Sequence, residues 1–403
     1  MRRFALILAV VGAAAHAALA QQPPALTLEA AEGQAVAANK TIAAARLTRP
    51  VDQAAIDVAR ERPNPDISFE SNRETPRQSI NGSLPIELGG KRQSRINLAT
   101  AAAATGEAEV ERVIAGIRND VRRAYFALVA ADRRVALAVE LQTLMGRARD
   151  TAQARFQAGD VAQMDVVQAE MVFDDAANQV TAMRGEATAA RAELNTLLGQ
   201  APGTPLTLAD DFTATPLPPE AAVLTQAAAE NADLRVLDRQ LAEQTARRDV
   251  AKSMQTPDLT AGAGLAVNAA PEFNYGWRTS LTMTVPLFTQ HKAGVALEDA
   301  ELARLGAARE AVLSEIAGAV SAALARAAAA RDQVDLFQSH ILPHALDLQQ
   351  KQEDAYRSGQ TPIGTYLQAL QDARDVRARG LEAGLAYQLA LADLERAIGA
   401  SIK

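Results

Sequence analysis

The sequence predicts a mainly α-helical protein with a pair of β-hairpins, built from one helix, hairpin and long-helix unit that occurs twice. Three observations predict this. Landmarks recur at a near-constant spacing: Asn39 returns as Asn231 and Pro65-Asp66-Ile67 as Pro257-Asp258-Leu259, both 192 residues on, while Phe156, Gly159, Gln168 and Gly199 return as Tyr356, Gly359, Gln368 and Gly399 after 200. One passage in each half alternates apolar and polar residues, as a half-buried strand pair does. Each passage precedes an Ala-rich stretch of 67 residues, Arg92 to Ala158 and Lys292 to Ser358, that lacks a strong breaker for most of its length. A period near 200 residues is too long for a solenoid, so the pattern reads as a duplicated domain.

Residues 1–20 have the layout of a cleaved export signal: Arg2 and Arg3, an apolar run from Phe4 to Leu19, and small Ala18 and Ala20 before Gln21. Removing the two arginines takes the formal charge from −7 to −9. That acidity argues against a nucleic-acid partner. With no cysteine, the chain has no disulfide framework, thiolate metal site or acylated cysteine, and packing alone must hold it together. Beyond the signal no stretch approaches the roughly 18 apolar residues of a membrane helix, so no helical span is expected. A β-barrel span stays open, because barrel strands alternate only weakly.

The first repeat, 21–200, opens with helix-forming residues 26–62, which end at Pro63 and Pro65. A hairpin follows over 66–88, turning at Thr75-Pro76. The second repeat, 220–403, places its hairpin at 258–288. There Leu259, Ala261, Ala263, Leu265 and Val267 alternate with polar or small residues, as do Tyr275, Trp277, Thr279, Leu281, Met283 and Val285 after the turn. The long helices, 92–158 and 292–358, would each extend on the order of 100 Å at 1.5 Å per residue. Steps of four and three run through Val110, Ile114, Ile117, Val121, Ala124, Leu128, Ala131 and Val135. They recur through Leu313, Ile316, Val320, Ala323, Ala327, Ala330, Val334, Phe337 and Ile341. This is a coiled-coil seam, and its alanines allow close helix approach. Pro343 is expected to kink the second rod. Gly159 and Gly359 suit left-handed helix ends, and return helices 160–199 and 361–399 follow, capped by Asp160 and by Thr361 with Pro362 at the first helical position. Between the repeats, 201–219 carries five prolines and reads as a linker.

Four strands cannot close a barrel, and an open sheet edge cannot sit in lipid, where each unpaired backbone group costs several kcal/mol. Either the hairpins lie outside a membrane or several chains share one barrel. Two chains supply eight strands and a filled interior; three supply twelve and a lumen. A lipid-facing arginine near the midplane costs roughly 2–4 kcal/mol, so Arg278 sets the phase of its strand. Arg278, Ser280, Thr282 and Thr284 then face the lumen, and Leu281, Met283 and Val285 face lipid. Trp277 joins Tyr275 and Phe273 beside the turn as an interfacial aromatic girdle.

The order of signal, helix, hairpin, very long helix, glycine turn and return helix, all duplicated, resembles the TolC-like outer-membrane efflux factors across the mature chain. The segment Pro85-Ile86-Glu87-Leu88-Gly89-Gly90-Lys91-Arg92 resembles the junction of the CzcC/CusC branch, which serves heavy-metal pumps. The resemblance implies a homotrimer in the outer membrane of a Gram-negative cell. A twelve-stranded barrel, four strands from each chain, would continue as an α-helical tunnel into the periplasm. It implies a periplasmic membrane-fusion adaptor and an inner-membrane resistance-nodulation-division transporter as partners. Phe156, Gly159, Tyr356, Arg357 and Gly359 fall at the adaptor-docking tips. Tyr356 matches a tyrosine that helps close the tunnel entrance by bonding a neighbouring helix, and Asp165 matches its acidic partner. The family's acidic ring is absent, because Thr365 and Gln368 stand at its positions. Asp372 and Asp375, three apart on one helix face, either offer acid to the lumen or, as the better-supported reading, are ordinary helix-surface charge.

Glu87, Gly89, Gly90, Lys91 and Arg92 form the membrane-junction motif. Lys91, Arg92 and Arg95, with Lys292 in the second copy, are placed to meet lipid phosphates or to stand solvated at a helix start. His340 and His344 have a chelating spacing on a helix, yet Pro343 breaks that helix, so no metal site is expected. No phosphate loop, nucleophile elbow or zinc-protease motif occurs, which predicts neither catalysis nor a cofactor. Two other readings are a soluble periplasmic coiled-coil adaptor or spacer, and a drug or protein export duct of the same family.

Overall fold

The computed structural model describes residues 25–212, 216–271 and 273–402; the export signal lies outside them. Three short helices, α1 (Leu28–Ala38), α2 (Lys40–Arg46) and α3 (Thr48–Arg60), precede strands β1 (Asp66–Ser71) and β2 (Gln78–Ile86). Helix α4 (Lys91–Ala158) and its return α5 (Gln163–Leu197) complete the first half. The second half contains α6 (Glu220–Glu230), α7 (Ala232–Ser253), β3 (Asp258–Ala269), β4 (Phe273–Thr284), α8 (Lys292–Leu336), a π-turn over Phe337–Ile341, α9 (Leu342–Arg357) and α10 (Ile363–Ile398). The long rods pack side by side: α4 lies against α5, α7 and α10, and α8 against α7, α10 and α6.

The buried residues of α8 are Val320, Ala323, Ala327 and Val334, all on the heptad seam, and Val110, Val121, Leu128 and Ala131 are the buried seam residues of α4. Contrary to the expectation from hydropathy, helix Lys292–Arg357 contains a window apolar enough to cross a membrane by length and composition. Alanine supplies much of that apolarity, and the seam side of the helix is used against α6, α7 and α10. Pro343 also acts differently from a simple kink. Having no N–H and a ring that crowds the carbonyl four residues back, it follows a π-turn in which the Leu342 N–H reaches back to the Phe337 carbonyl. Widening the turn carries the rod through the proline.

The duplicated landmarks meet in space. Asn39 caps α2, accepting at Oδ1 from the Thr41 and Ile42 amides at 2.8 and 3.3 Å, while its Nδ2 donates to the Leu197 carbonyl at 2.8 Å. Asn231 repeats this on α7, accepting from Asp233 and Leu234 at 3.0 and 3.1 Å and donating to Ala397 at 2.9 Å. Beside each clasp a left-handed glycine ends the return helix. A Cβ on Gly199 would lie 2.5 Å from the Ala38 carbonyl oxygen, and one on Gly399 would lie 2.5 Å from that of Glu230. Each asparagine and glycine together tie the start of their repeat to its end.

The linker is more than a spacer. Leu26 and Leu208 form a parallel bridge, and the Tyr125 hydroxyl, buried against α1, lies 2.7 Å from the Leu26 carbonyl and 2.9 Å from Asp210 Oδ2. Burial pushes the Tyr125 phenol up to about 12. The capping expectations at the return helices are corrected as well. Ala162 and Pro362 occupy the N-cap positions with no side-chain cap, and the helices begin at Gln163 and Ile363. The glycine turns instead hand over through backbone bonds, Asp160 N to Arg155 O and Gln360 N to Ala355 O, both 2.9 Å.

Candidate functional site

The four strands make one antiparallel sheet in the order β1-β2-β3-β4. Directly paired residues share a face, so the register sorts every side chain. Ile67 pairs with Gly82, Phe69 with Ile80, Ile80 with Leu265, Leu265 with Trp277, Ala261 with Leu281 and Leu259 with Met283. These build a single apolar face, and it is bare: Ile67 and Trp277 are each 78% exposed and Leu281 is 71% exposed. Val285 continues it just past β4. The opposite face carries Ser68, Asn81, Gly264 and Arg278 in one row, with Gly262 beside Ser280 and Thr260 beside Thr282 in the next rows and Thr284 at the strand end. Both outer edges, on β1 and β4, have no strand partner among the described residues.

The junction below the sheet is a latch between the repeats. Gly89 and Gly90 take left-handed backbone angles, and a Cβ on Gly89 would overlap the Thr256 side chain. Lys91, only 5% exposed, forms an ion pair with Asp258 at the start of β3. Glu87 pairs with Arg95, and Arg92 Nε donates to the Arg60 carbonyl at 2.8 Å. This corrects the reading of Lys91 as a lipid contact. Its ammonium is spent inside the chain, because leaving it buried and unpaired would cost several kcal/mol. Lys292 of the second copy stays exposed.

At the opposite end the two helical hairpins share a core of Met145, Ala152, Ala169, Tyr356, Tyr366 and Leu370, with their neighbours on α4, α5, α9 and α10. Tyr356 therefore departs from its assignment to the docking tip. It is 2% exposed and stacks on Tyr366 with ring centroids 5.1 Å apart, and its buried hydroxyl has no hydrogen-bond partner among the described residues. Burial pushes its phenol up, while Arg155, whose guanidinium lies 5.5 Å from the ring, holds it back. Phe156 and Arg357 are the exposed tip side chains, Arg357 paired with Glu353 at 2.6 Å, and Gly159 and Gly359 take the left-handed turn. Asp165 is half-buried in the first turn of α5. Thr365, Gln368, Asp372 and Asp375 form one exposed stripe on α10, opposite its buried face, with Gln368 donating to Asp372 at 2.8 Å. His340 and His344 are exposed, and among the described residues no group of three or more His, Asp or Glu is placed to hold a metal.

The sequence that builds this uncovered apolar sheet, its open edges and the long helical shaft matches a known family model twice. The model described as outer membrane efflux protein covers residues 32–200 and 223–400. The chain belongs to the outer membrane efflux protein family. It is an outer-membrane efflux channel of the Gram-negative envelope, and its family is one of ducts, not enzymes. A relative is the cobalt-zinc-cadmium resistance protein CzcC of Cupriavidus metallidurans, 32% identical over 243 residues. That match spans 59% of this chain and 58% of CzcC. The fold is shared with CusC (TM-score 0.76, 16% identity, 93% of this chain and 92% of that one). It is shared also with the open-state channel MtrE of Neisseria gonorrhoeae (TM-score 0.72, 18% identity, 93% and 89%).

Some residues of the candidate site and its supports escaped the reading of the sequence. Asn81 and Gly264, which share a row with Arg278, became visible only through the strand register. Asp258 gave no sign of its lysine partner. The two asparagine clasps had a signal, since Asn39/Asn231 and Gly199/Gly399 recur at nearly the same spacing.

Proposed function

We propose that three copies of this chain close a twelve-stranded barrel and a helical tunnel that carries heavy-metal cations out of the cell. The observation that carries the reading is the sheet itself. It exposes a continuous apolar face and leaves two edges unpaired, a combination that neither water nor lipid tolerates in a single chain. Pairing the β4 edge of one copy with the β1 edge of the next removes every edge, and three copies give the smallest ring with a lumen. The apolar face then meets lipid, and Arg278, Ser280, Thr282 and Thr284 line water. Thr365, Gln368, Asp372 and Asp375 line the tunnel near its entrance. The exposed tips around Phe156, Gly159, Arg357 and Gly359 meet a membrane-fusion adaptor that connects the duct to a resistance-nodulation-division transporter. The metal assignment follows the likeness to CzcC, named for cobalt, zinc and cadmium.

The test is deletion of the gene in its own host. Sensitisation to cobalt, zinc or cadmium, with heat-modifiable trimers of the restored protein in outer-membrane fractions, is the expected result. Sensitisation to organic drugs with metal tolerance intact would assign a drug duct instead, and a water-soluble monomer would refute the channel assembly.

A further inference from the structure

The two halves of the chain meet along one boundary of the sheet, and that boundary has a counterpart with nothing on its other side. Strand β2, which ends the first hairpin, pairs with β3, which opens the second, with Leu84 opposite Ala261 and Ile86 opposite Leu259. Just beyond β2, Lys91 at the start of α4 forms its ion pair with Asp258 at the start of β3. In the second half β4 takes the place of β2. Pro85-Ile86 and Lys91 correspond to Pro286-Leu287 and Lys292, 201 residues on. The backbone agrees, because Gly90 before Lys91 and His291 before Lys292 both take left-handed angles at the starts of the long helices. Asp258 corresponds to Asp66, 192 residues back, which opens β1.

Within one chain Lys292 and Asp66 stand at the two outer edges of the sheet. Both are exposed, and neither side chain has an ion pair or hydrogen bond among the described residues. Strand β2 runs on to Ile86, whereas β4 stops at Thr284. Val285, Pro286 and Leu287, the counterparts of Leu84, Pro85 and Ile86, therefore have no strand partner among the described residues. Carrying the β2–β3 register across by these equivalences sets Val285 opposite Phe69 and Leu287 opposite Ile67 of a neighbouring chain. All four are exposed apolar residues, so the transferred register joins apolar face to apolar face. A slip of one residue would set them against the polar residues of β1. The helices extend both edges: α3, which leads into β1, exposes Leu47, Val51 and Val58, and α8, which follows β4, exposes Leu297. Glu87 and Arg95, the other ion pair of the junction, have Phe288 and Ala296 as counterparts, so only the lysine and aspartate latch recurs.

We infer that the contact between neighbouring chains repeats the contact between the two halves of one chain, so that Lys292 pairs with Asp66 of the next chain as Lys91 pairs with Asp258. The inference rests on the trimeric-barrel reading above and gives it a register. Closing the ring covers Lys292 as Lys91 is covered, and a covered ammonium needs its counter-charge. Opposite charges placed at one point of a boundary fix the alignment of the partners and reject the wrong ones.

The experiment is a charge swap read as heat-modifiable trimer in outer-membrane fractions. Lys292→Asp and Asp66→Lys are each expected to lower the trimer on the order of tenfold, because like charges then face each other at all three boundaries. The double variant is expected to recover most of it. The register is read separately by disulfide trapping, which the absence of native cysteine makes clean. Leu287→Cys combined with Ile67→Cys places thiols on directly opposed residues, within reach of a disulfide, and is expected to give a trimer that survives heating until reduced. Leu287→Cys combined with Ser68→Cys, whose side chains leave opposite faces, is expected to give none. A double charge variant no better than the single ones, or single variants that leave the trimer unchanged, overturns the ion pair. A heat-modifiable trimer that is trapped through Ser68 or through neither pair overturns the register and leaves the channel reading standing. A wild-type chain that forms no trimer overturns the inference together with the barrel.

Discussion

Replacing Leu281 and its chain neighbour Thr282 by arginine, one at a time, tests the assignment of the sheet faces. The two residues are adjacent on β4, and their partners are Ala261 and Thr260. Period-two geometry sends them to opposite faces. Leu281 is 71% exposed on the bare apolar face, four residues beyond the Trp277 assigned to the interfacial girdle and so toward the middle of the bilayer. An arginine facing lipid near the midplane costs roughly 2–4 kcal/mol per copy. The copies are on separate chains and add nearly independently, so a three-chain barrel loses roughly 6–12 kcal/mol. Arginine at 282 faces water, where surface substitutions typically change stability by less than about 0.5 kcal/mol. The assay is the fraction of heat-modifiable oligomer in outer-membrane preparations, followed by urea titration of folding into vesicles. Leu281→Arg is expected to abolish the oligomer and Thr282→Arg to leave it in place. Equal damage from both, or greater damage from Thr282→Arg, refutes the face assignment and the barrel with it.

Asn231→Ala removes an N-cap worth about 0.5–2 kcal/mol and leaves the Ala397 carbonyl without its side-chain donor, a further loss of about 1–3 kcal/mol. Asn39→Ala should match it, and unfolding midpoints followed by circular dichroism in detergent will show whether the two clasps are equivalent. At the junction, Asp258→Ala should destabilise more than Lys91→Met, because it strands a buried ammonium while the latter strands an exposed carboxylate; comparison of the two single variants with the double variant measures the coupling. In an alkaline titration followed by tyrosinate absorbance, Tyr125 and Tyr366, both pushed up to about 12 chiefly by burial, should ionise last. A phenol whose folded pKa exceeds its unfolded value of about 10 contributes stability that is complete below pH 10. That stability is lost as the pH rises toward 12. Tyr366→Phe should therefore shift the alkaline unfolding midpoint upward.

The helices and strand faces were legible because their signals are local and periodic. The seam through Val320, Ala323, Ala327 and Val334 is the buried stripe of α8, since a 3.5-residue repeat defines a face without reference to any partner. The alternation around Arg278 is likewise a face. The junction and tip were less legible. Lys91 and Tyr356 have types and positions that suit a surface, and only their packed neighbours, Asp258 of the other repeat for Lys91 and Tyr366 with Met145 and Ala169 for Tyr356, reveal that they are buried. Contacts of that kind leave no spacing rule in the chain.

The duplication, the helical rods, the hairpins and the amphipathic phase of each strand were determined by the sequence alone, through residue propensity and hydrophobic period acting over a few neighbouring residues. Tertiary structure decided which distant segments meet: Asn39 on the end of α5 and Asn231 on the end of α10 within each repeat, and Lys91 on β3 and Arg278 in a row with Asn81 between the repeats. These pairings bring together residues far apart in the chain. Their energy depends on burial and on strand register, and both exist only once those segments have packed.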